Sequence, residues 1–315
     1  MTAFVDRREI LAGLAAATAL AALPAKAAGT DTLSFLVIGD WGRDGADHQR
    51  EVAVQMDKAA AETGARFTVA VGDNFYENGV ASVDDAKWRT SFEDVYTGAH
   101  LQTPWYAVLG NHDYGEAPQA QVDYSAKSSR WRMPARYFKV GGAELGFPAA
   151  DLFFIDTTPL VESYGHKPGP RGDNVRAQDG AAQLAWLDRE LAASTAPRKI
   201  VFGHHTLFSG GSAHGDTPEI VARVLPILKA RGVFAYINGH DHDLQHIQRD
   251  GLHVICSGAG SEVRPVARVE GTQFCVSQSG FAVVTLTPAG MAVEFRDYLG
   301  QSLYKAELAQ VAAAA

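Results

Sequence analysis

Five short apolar runs in this chain stop at the same kind of corner, a glycine followed by a side chain that can hold a cation. Thr32–Ile38 ends at Gly39-Asp40, Phe67–Val71 at Gly72-Asp73, Trp105–Leu109 at Gly110-Asn111, Lys199–Phe202 at Gly203-His204 and Val233–Asn238 at Gly239-His240. Short runs rich in Val, Ile, Leu and Phe read as buried strands. Helical stretches separate them, at Asp47–Thr63, Asp84–Val95, Gln119–Ser129, Gln178–Ala193 and Thr217–Ala230. Strands alternating with helices give βαβ units and a partly parallel sheet, which gathers ligands outside the carboxyl ends of its strands. A single Gly-Asp is ordinary turn chemistry, but five such corners in one chain point to a site.

The donor types agree with one another. In Gly239-His240-Asp241-His242 two imidazoles stand one residue apart, so in an extended segment both face the same side. Read alone, that tetrapeptide fits a polar loop of hydrogen-bonded histidines as well as half of a metal site. Asp40, Asp73, Asn111 and Tyr76 add hard oxygen donors, a set suited to iron, zinc or manganese and unlike a thiolate site. A carboxylate has two oxygens and can bridge two metals, and paired metals stabilise both the attacking and the leaving oxygen of a displacement at phosphorus.

The rest of the chain narrows the alternatives. A formal charge of −8 and the absence of a Lys/Arg run leave no surface for a phosphate backbone, so nucleic acid is not an expected partner. Cys256 and Cys275 are too few for a disulfide scaffold; they read as unpaired, with pairing outside the cytoplasm left open. Arg7-Arg8 followed by an Ala/Leu-rich run from Leu11 to Leu23 and Ala25-Lys26-Ala27 reads as an export signal over residues 1–28. The adjacent arginines suggest the twin-arginine machinery as a transport partner and a periplasmic or secreted destination. No segment is long and apolar enough for a membrane span. With no linker or repeat, residues 29–315 are expected to form a single catalytic domain.

Asp151–Ile155 adds another strand, and the pattern turns β-rich at Leu252–Ser257, Phe281–Thr287, Met291–Asp297 and Ser302–Leu308. Pro159–Val175, rich in Gly, Pro and charge, reads as a long exposed loop. No Arg or Lys clamp for phosphate is evident near the motifs.

Taken in order, Gly39-Asp-Trp-Gly42, Gly72-Asp-Asn-Phe-Tyr76, Gly110-Asn-His-Asp113, Gly203-His204 and Gly239-His-Asp-His242 resemble the calcineurin-like metallophosphoesterases, and more narrowly the small, tartrate-resistant purple acid phosphatases. Most of the superfamily carries a histidine where this chain has Gly42. Tyr76 stands where purple phosphatases have their tyrosinate, a hard donor for Fe(III). The resemblance implies Asp40, Asp73, Tyr76 and His242 around Fe(III), with Asp73 bridging. Asn111, His204 and His240 then complete a second, divalent metal, which is Fe, Zn or Mn. His204 rather than His205 matches the family position. His112 and His214 are implied as non-ligand histidines that reach phosphate or protonate the leaving oxygen, whereas His48, His100, His166, His246 and His253 match no motif position.

The implied fold is a four-layer α/β/β/α sandwich of two mixed sheets. The implied activity is hydrolysis of small phosphate monoesters or phosphoproteins in acid. A phosphodiesterase or nucleotide pyrophosphohydrolase of the same fold is the nearest alternative, and a non-hydrolytic metal-binding or redox protein the alternative of another class. The cysteine that mammalian relatives carry in the loop near the site is missing from Pro159–Val175.

Overall fold

The computed structural model describes residues 32–309, so the proposed export signal lies outside the described residues. Every residue of β1 (Leu33–Ile38) is buried, as the apolar run requires of a strand covered on both faces. The chain continues through β2 (Thr68–Ala70), β3 (Trp105–Ala107) and β4 (Trp131–Arg132). Next come β5 (Phe138–Val140), β6 (Ala150–Phe154), β7 (Arg198–Phe202), β8 (Ala235–Asn238), β9 (Leu244–Arg249), β10 (Leu252–Ser257) and β11 (Thr272–Val276). It closes with β12 (Gly280–Leu286), β13 (Met291–Asp297) and β14 (Ser302–Leu308). Two mixed sheets result, in the orders β14-β13-β12-β1-β2-β3-β4 and β11-β9-β10-β8-β7-β6-β5.

The sheets pack face to face through aromatic side chains. Phe35 of β1 meets Phe202 of β7 edge-on at 6.1 Å, and Tyr106 of β3 lies 5.7 Å from Phe154 of β6. Helix α1 (Gln49–Thr63) covers the outer face of the first sheet with Val52, Met56 and Ala59. A second core lies outside the other sheet. There Phe153, Val201 and Tyr236 meet Leu187 and Leu191 of a long helix, Gly180–Ala193, and Ile220 and Leu228 of two short ones. The layers are α/β/β/α, as expected.

Several elements differ from the expectation, each for a local reason. Thr217–Ala230 is two helices, Pro218–Arg223 and Leu225–Ala230; Pro226 has no N–H to continue the ladder and sits in the first turn of the second. Asp84–Val95 reduces to one wide turn at Trp88–Glu93, and Gln119–Ser129 to a short helix, Pro118–Asp123, with a 3₁₀ turn after it. Pro159–Val175 is not a plain loop. It holds a 3₁₀ turn (Thr158–Leu160) and two short helices, Glu162–Gly165 and Pro170–Arg176, and buries Leu160, Val161 and Val175. Strands β4, β5, β9 and β11 went unread because each is short or mixes polar residues into the run. Cys256 is buried and Cys275 partly so, and both are unpaired.

This topology brings the carboxyl ends of β1, β2, β3, β7 and β8 to one rim. Hydrogen bonds stitch the two sheets there: Gly39 N–H donates to the Ser257 carbonyl at 2.7 Å, and His240 N–H to Asp40 Oδ2 at 3.0 Å.

Candidate metal centre

Three strand ends turn sharply on the polar residue itself. Asp40, Asp73 and His240 have φ of 59°, 47° and 74°. Left-handed backbone is costly for most residues and tolerated best by Asp, Asn and His. The preceding glycines matter for space. A Cβ on Gly110 would lie 2.3 Å from the Asp73 backbone nitrogen, and one on Gly239 would lie 2.4 Å from Asp40 Oδ2. Neighbouring corners pack directly against the backbone of these glycines, so the five motifs interlock at one place.

Two clusters of donor atoms follow. Around the Tyr76 hydroxyl stand His242 Nε2 at 3.0 Å, Asp73 Oδ2 at 3.1 Å and Asp40 Oδ1 at 3.2 Å. Around His204 Nε2 stand His240 Nδ1 at 3.1 Å, Asn111 Oδ1 at 3.3 Å and Asp73 Oδ1 at 3.5 Å. Asp73 therefore gives one oxygen to each cluster. Ligands about 2.1 Å from a common metal are separated by edges of about 3 Å, which is the spacing in both groups.

The surroundings hold these atoms as donors. His204 Nδ1 lies 2.9 Å from the Val71 carbonyl, which can only accept, so Nδ1 carries a proton and Nε2 is the ring nitrogen that faces the cluster. His112 Nδ1 meets the Glu77 carbonyl at 2.6 Å and is fixed in the same way, leaving Nε2 free. His205 turns elsewhere: its Nδ1 accepts from Thr157 Oγ1 at 2.8 Å. Thr157 Oγ1 in turn accepts from the His204 and His205 backbone N–H groups. That separates the two adjacent histidines, which sequence alone left close.

Electrostatics supply a test of fit for a cationic group. Asp40 and Asp73 are essentially buried, and among the described residues no Lys or Arg lies within ion-pair distance of either. Burial, with Asp73 beside it, pushes the Asp40 carboxyl well above its ordinary range. Burial works against Asp73 as well, but His204 and His112 pull it well below that range. Burial would lower His204, yet Asp73 and Asp40 raise it to about 9, so the carboxylates draw a proton onto it. Burial and both carboxylates push the Tyr76 phenol far up, and its ionisation therefore calls for a strong local cation. Burial, and for His242 also Arg264, keeps His240 and His242 neutral with free lone pairs, His242 being lowered to about 3. Two buried carboxylates, two neutral imidazoles and a phenol next to them fit metal ions, and Asp40, Asp73 and His204 alone already satisfy the spacing of a metal-holding group.

The two remaining histidines flank the clusters. The His112 ring lies 4.6 Å from that of Tyr76, and its backbone N–H donates to Asp73 Oδ1 at 2.8 Å. The His214 ring stacks on His240 at 4.0 Å, and its Nε2 accepts from Arg264 Nη1 at 3.3 Å. Burial lowers the His214 pKa. His246 and His253, which matched no motif, hydrogen-bond to each other at 3.1 Å.

Some site residues escaped the sequence reading. The sequence shows no Arg or Lys clamp for phosphate near the motifs, yet two guanidiniums stand beside the clusters. The Arg43 guanidinium lies 3.8 Å over the Tyr76 ring, and Arg264 touches His214. Glu262 joins the two, at 2.8 Å from Arg43 and 3.7 Å from Arg264. Arg43 directly follows Gly42, and that adjacency was the available signal. Asp113 accepts from the backbone N–H of Asn74 at 3.1 Å, of Phe75 at 3.2 Å and of Gly110 at 2.8 Å, tying the second and third corners together. Asp241, between the two histidines of its motif, accepts from the Gly215 N–H at 3.2 Å and from Ser209 Oγ, and so anchors the loop that carries His214. Asp113 and Asp241 lie inside the quoted motifs and were visible there.

Comparison with known proteins agrees with this geometry. Residues 33–244 match the family model described as calcineurin-like phosphoesterase. The chain is 41% identical to purple acid phosphatase 4 of Arabidopsis thaliana over 87% of this chain and 83% of that protein. It is 33% identical to tartrate-resistant acid phosphatase type 5 of Homo sapiens over 91% of this chain and 94% of that one. A purple acid phosphatase from yellow lupin (Lupinus luteus) seeds superposes with a TM-score of 0.66 at 14% identity, over 88% of this chain and 54% of that one. The anchor in the inner membrane complex of Plasmodium superposes with a TM-score of 0.76 at 24% identity, over 89% of each chain. At those identities the superpositions speak for the fold alone.

Proposed function

The chain belongs to the purple acid phosphatases of the calcineurin-like phosphoesterase superfamily, and from that membership we propose which of its residues carry the hydrolysis of phosphate monoesters. The family works with a binuclear metal centre, typically containing iron. Tyr76, Asp40, His242 and Asp73 Oδ2 would hold Fe(III), and His204, His240, Asn111 and Asp73 Oδ1 a divalent iron, zinc or manganese. When bound, the metals supply an activated water as nucleophile and neutralise charge on the phosphoryl oxygens. The observation that carries the assignment is the division of Asp73's two oxygens between two donor clusters.

The protein's own groups do the remaining work. His112, its Nδ1 proton held by the Glu77 carbonyl, presents Nε2 to the leaving oxygen. As the imidazolium, with a second proton on Nε2, it delivers that proton there and is left neutral, an effect worth about 10²–10⁴-fold. His214 stands across the site on His240, and Arg264 beside it adds positive charge on that flank. Arg43 does the same next to Tyr76. Both guanidiniums share Glu262, so their charge on the rim is partly compensated and held in place.

Residues 1–28 act as an export signal read by the twin-arginine machinery, and residues 29–315 form the catalytic domain of a periplasmic or secreted enzyme. The Arg7-Arg8 pair ahead of the apolar run supports this. No described helix is long and apolar enough to cross a membrane.

Steady-state kinetics on p-nitrophenyl phosphate and bis-p-nitrophenyl phosphate test the reaction class. The monoester should be preferred by a wide margin, with activity highest in acid and lost on His112→Ala. Preference for the diester would overturn the assignment in favour of a phosphodiesterase.

A further inference from the structure

Beside His112 the surface opens into a pocket of about 330 Å³ lined by Asn78, Gly115, Glu116, Lys167, Arg171 and two prolines, Pro168 and Pro170. Its walls belong to the turn after Tyr76, the turn after His112, and the stretch from Lys167 into the start of the helix Pro170–Arg176. Asn174 clamps that helix to the second turn by donating to the carbonyls of Tyr114 at 3.1 Å and Glu116 at 2.6 Å. Arg171 Nη2 points at the Glu77 carbonyl at 3.4 Å, the same oxygen that holds His112 Nδ1 at 2.6 Å. One carbonyl thus separates the guanidinium from the imidazole assigned to the leaving oxygen.

The charges in this pocket are not compensated. The other neighbours of Arg171 are neutral: Nη2 also donates to Asn78 Oδ1 at 3.2 Å, while Nε is buried without a partner. Among the described residues no carboxylate lies within ion-pair distance of Arg171 or Lys167, whereas Arg43 and Arg264 beside the metal cluster are both paired. Glu116 is the one acidic side chain in the lining, so two cations face one anion. In a chain of net charge −8, a concave space with surplus positive charge draws anions from solution.

We infer that this pocket is a subsite for a second anionic group, a phosphate or carboxylate, carried on the leaving-group side of a small phosphate monoester. The inference rests on the proposed function, because it takes His112 as the mark of the leaving-group side. Binding energy realised there would position the ester oxygen under His112 and would favour small metabolites with two acidic groups over neutral alcohol phosphates.

The test compares kcat/KM for phenyl phosphate and 4-carboxyphenyl phosphate in the full-length metal-loaded enzyme and in Lys167→Glu and Glu116→Gln. Neither variant touches the assigned metal ligands or His112. The wild type should prefer the carboxylated substrate, and raised ionic strength should shrink that preference. Lys167→Glu should cut the preference about fivefold, the scale of an exposed charge pair, with phenyl phosphate turnover unchanged. Glu116→Gln should increase it. The same substrate ratio in all three proteins would overturn the subsite while leaving the phosphatase assignment intact. No turnover of phenyl phosphate by the wild type would instead strike the assignment itself, and the subsite with it.

Discussion

The guanidinium carbon of Arg43 sits 3.8 Å above the centre of the Tyr76 ring. Two carboxylates keep it there, Glu77 at 3.1 Å and Glu262 at 2.8 Å, and the side chain is only 13% exposed. A cation over a phenol face is favourable, more so for a phenolate. If Tyr76 binds Fe(III), the charge lowers the filled phenolate orbital from which the electron leaves in a charge-transfer transition.

Replacing Arg43 should therefore move that transition to lower energy. Arg43→Met is expected to shift the visible band to longer wavelength, and Arg43→Lys to shift it less because the charge remains. An unchanged band in Arg43→Met would show that the guanidinium does not act on the phenolate.

Gly110→Ala tests the interlocking of the corners. The added methyl would lie 2.2 Å from Asp73 Oδ1 and 2.3 Å from the Asp73 nitrogen, and backbone cannot give way as a flexible side chain can. Overpacking of this kind costs about 1–3 kcal/mol, and here the strain falls on Asp73, the carboxylate shared by the two clusters. Metal content should drop at both positions, read by elemental analysis of the purified protein alongside its urea midpoint. Full occupancy with native stability would contradict the packing described.

Asp156 predicts a pH dependence of stability. It is buried, one of its oxygens has no partner, and Arg136 comes no closer than 3.8 Å. Burial, only partly offset by Arg136, raises its pKa from 3.8 to about 6. The folded state thus holds a proton that the unfolded chain releases from about pH 4 upward. This contribution is present in full below pH 4 and is lost as pH rises through 6, an effect of about 3 kcal/mol. Asp156→Asn, which mimics the protonated acid, should lack the decline. Urea unfolding of both chelator-treated proteins at pH 4 and pH 7 should show the variant gaining on the wild type at the higher pH, and parallel curves would refute it.

The fold and the donor set were legible because they rest on local, repeated signals. Each buried parallel strand is a short apolar run, and each ends in Gly plus a polar side chain that the rim requires. In His240-Asp241-His242 both imidazoles enter the site and Asp241 turns to Ser209 and Gly215, but through a bend with His240 in left-handed backbone rather than through strand alternation. Arg43 and Arg264 were hidden for a different reason. A long side chain carries its charge far from its own backbone, so place in the sequence says little about where the guanidinium ends. Strand β9 was hidden because Leu244-Gln-His-Ile-Gln-Arg249 buries Gln245 and His246 in hydrogen bonds and so lacks an apolar run. The broken helix at Pro226 was readable from proline alone.

Tyr76 and the two clusters sharing Asp73 are proposed to hold an iron-containing pair of metals. The visible absorption spectrum of the protein purified with its iron retained, set beside that of Tyr76→Phe, tests it most directly. A broad charge-transfer band is expected in the wild type and disappears in the variant while the protein stays folded. An iron-loaded, active wild type without such a band, or a band that survives Tyr76→Phe, would contradict it.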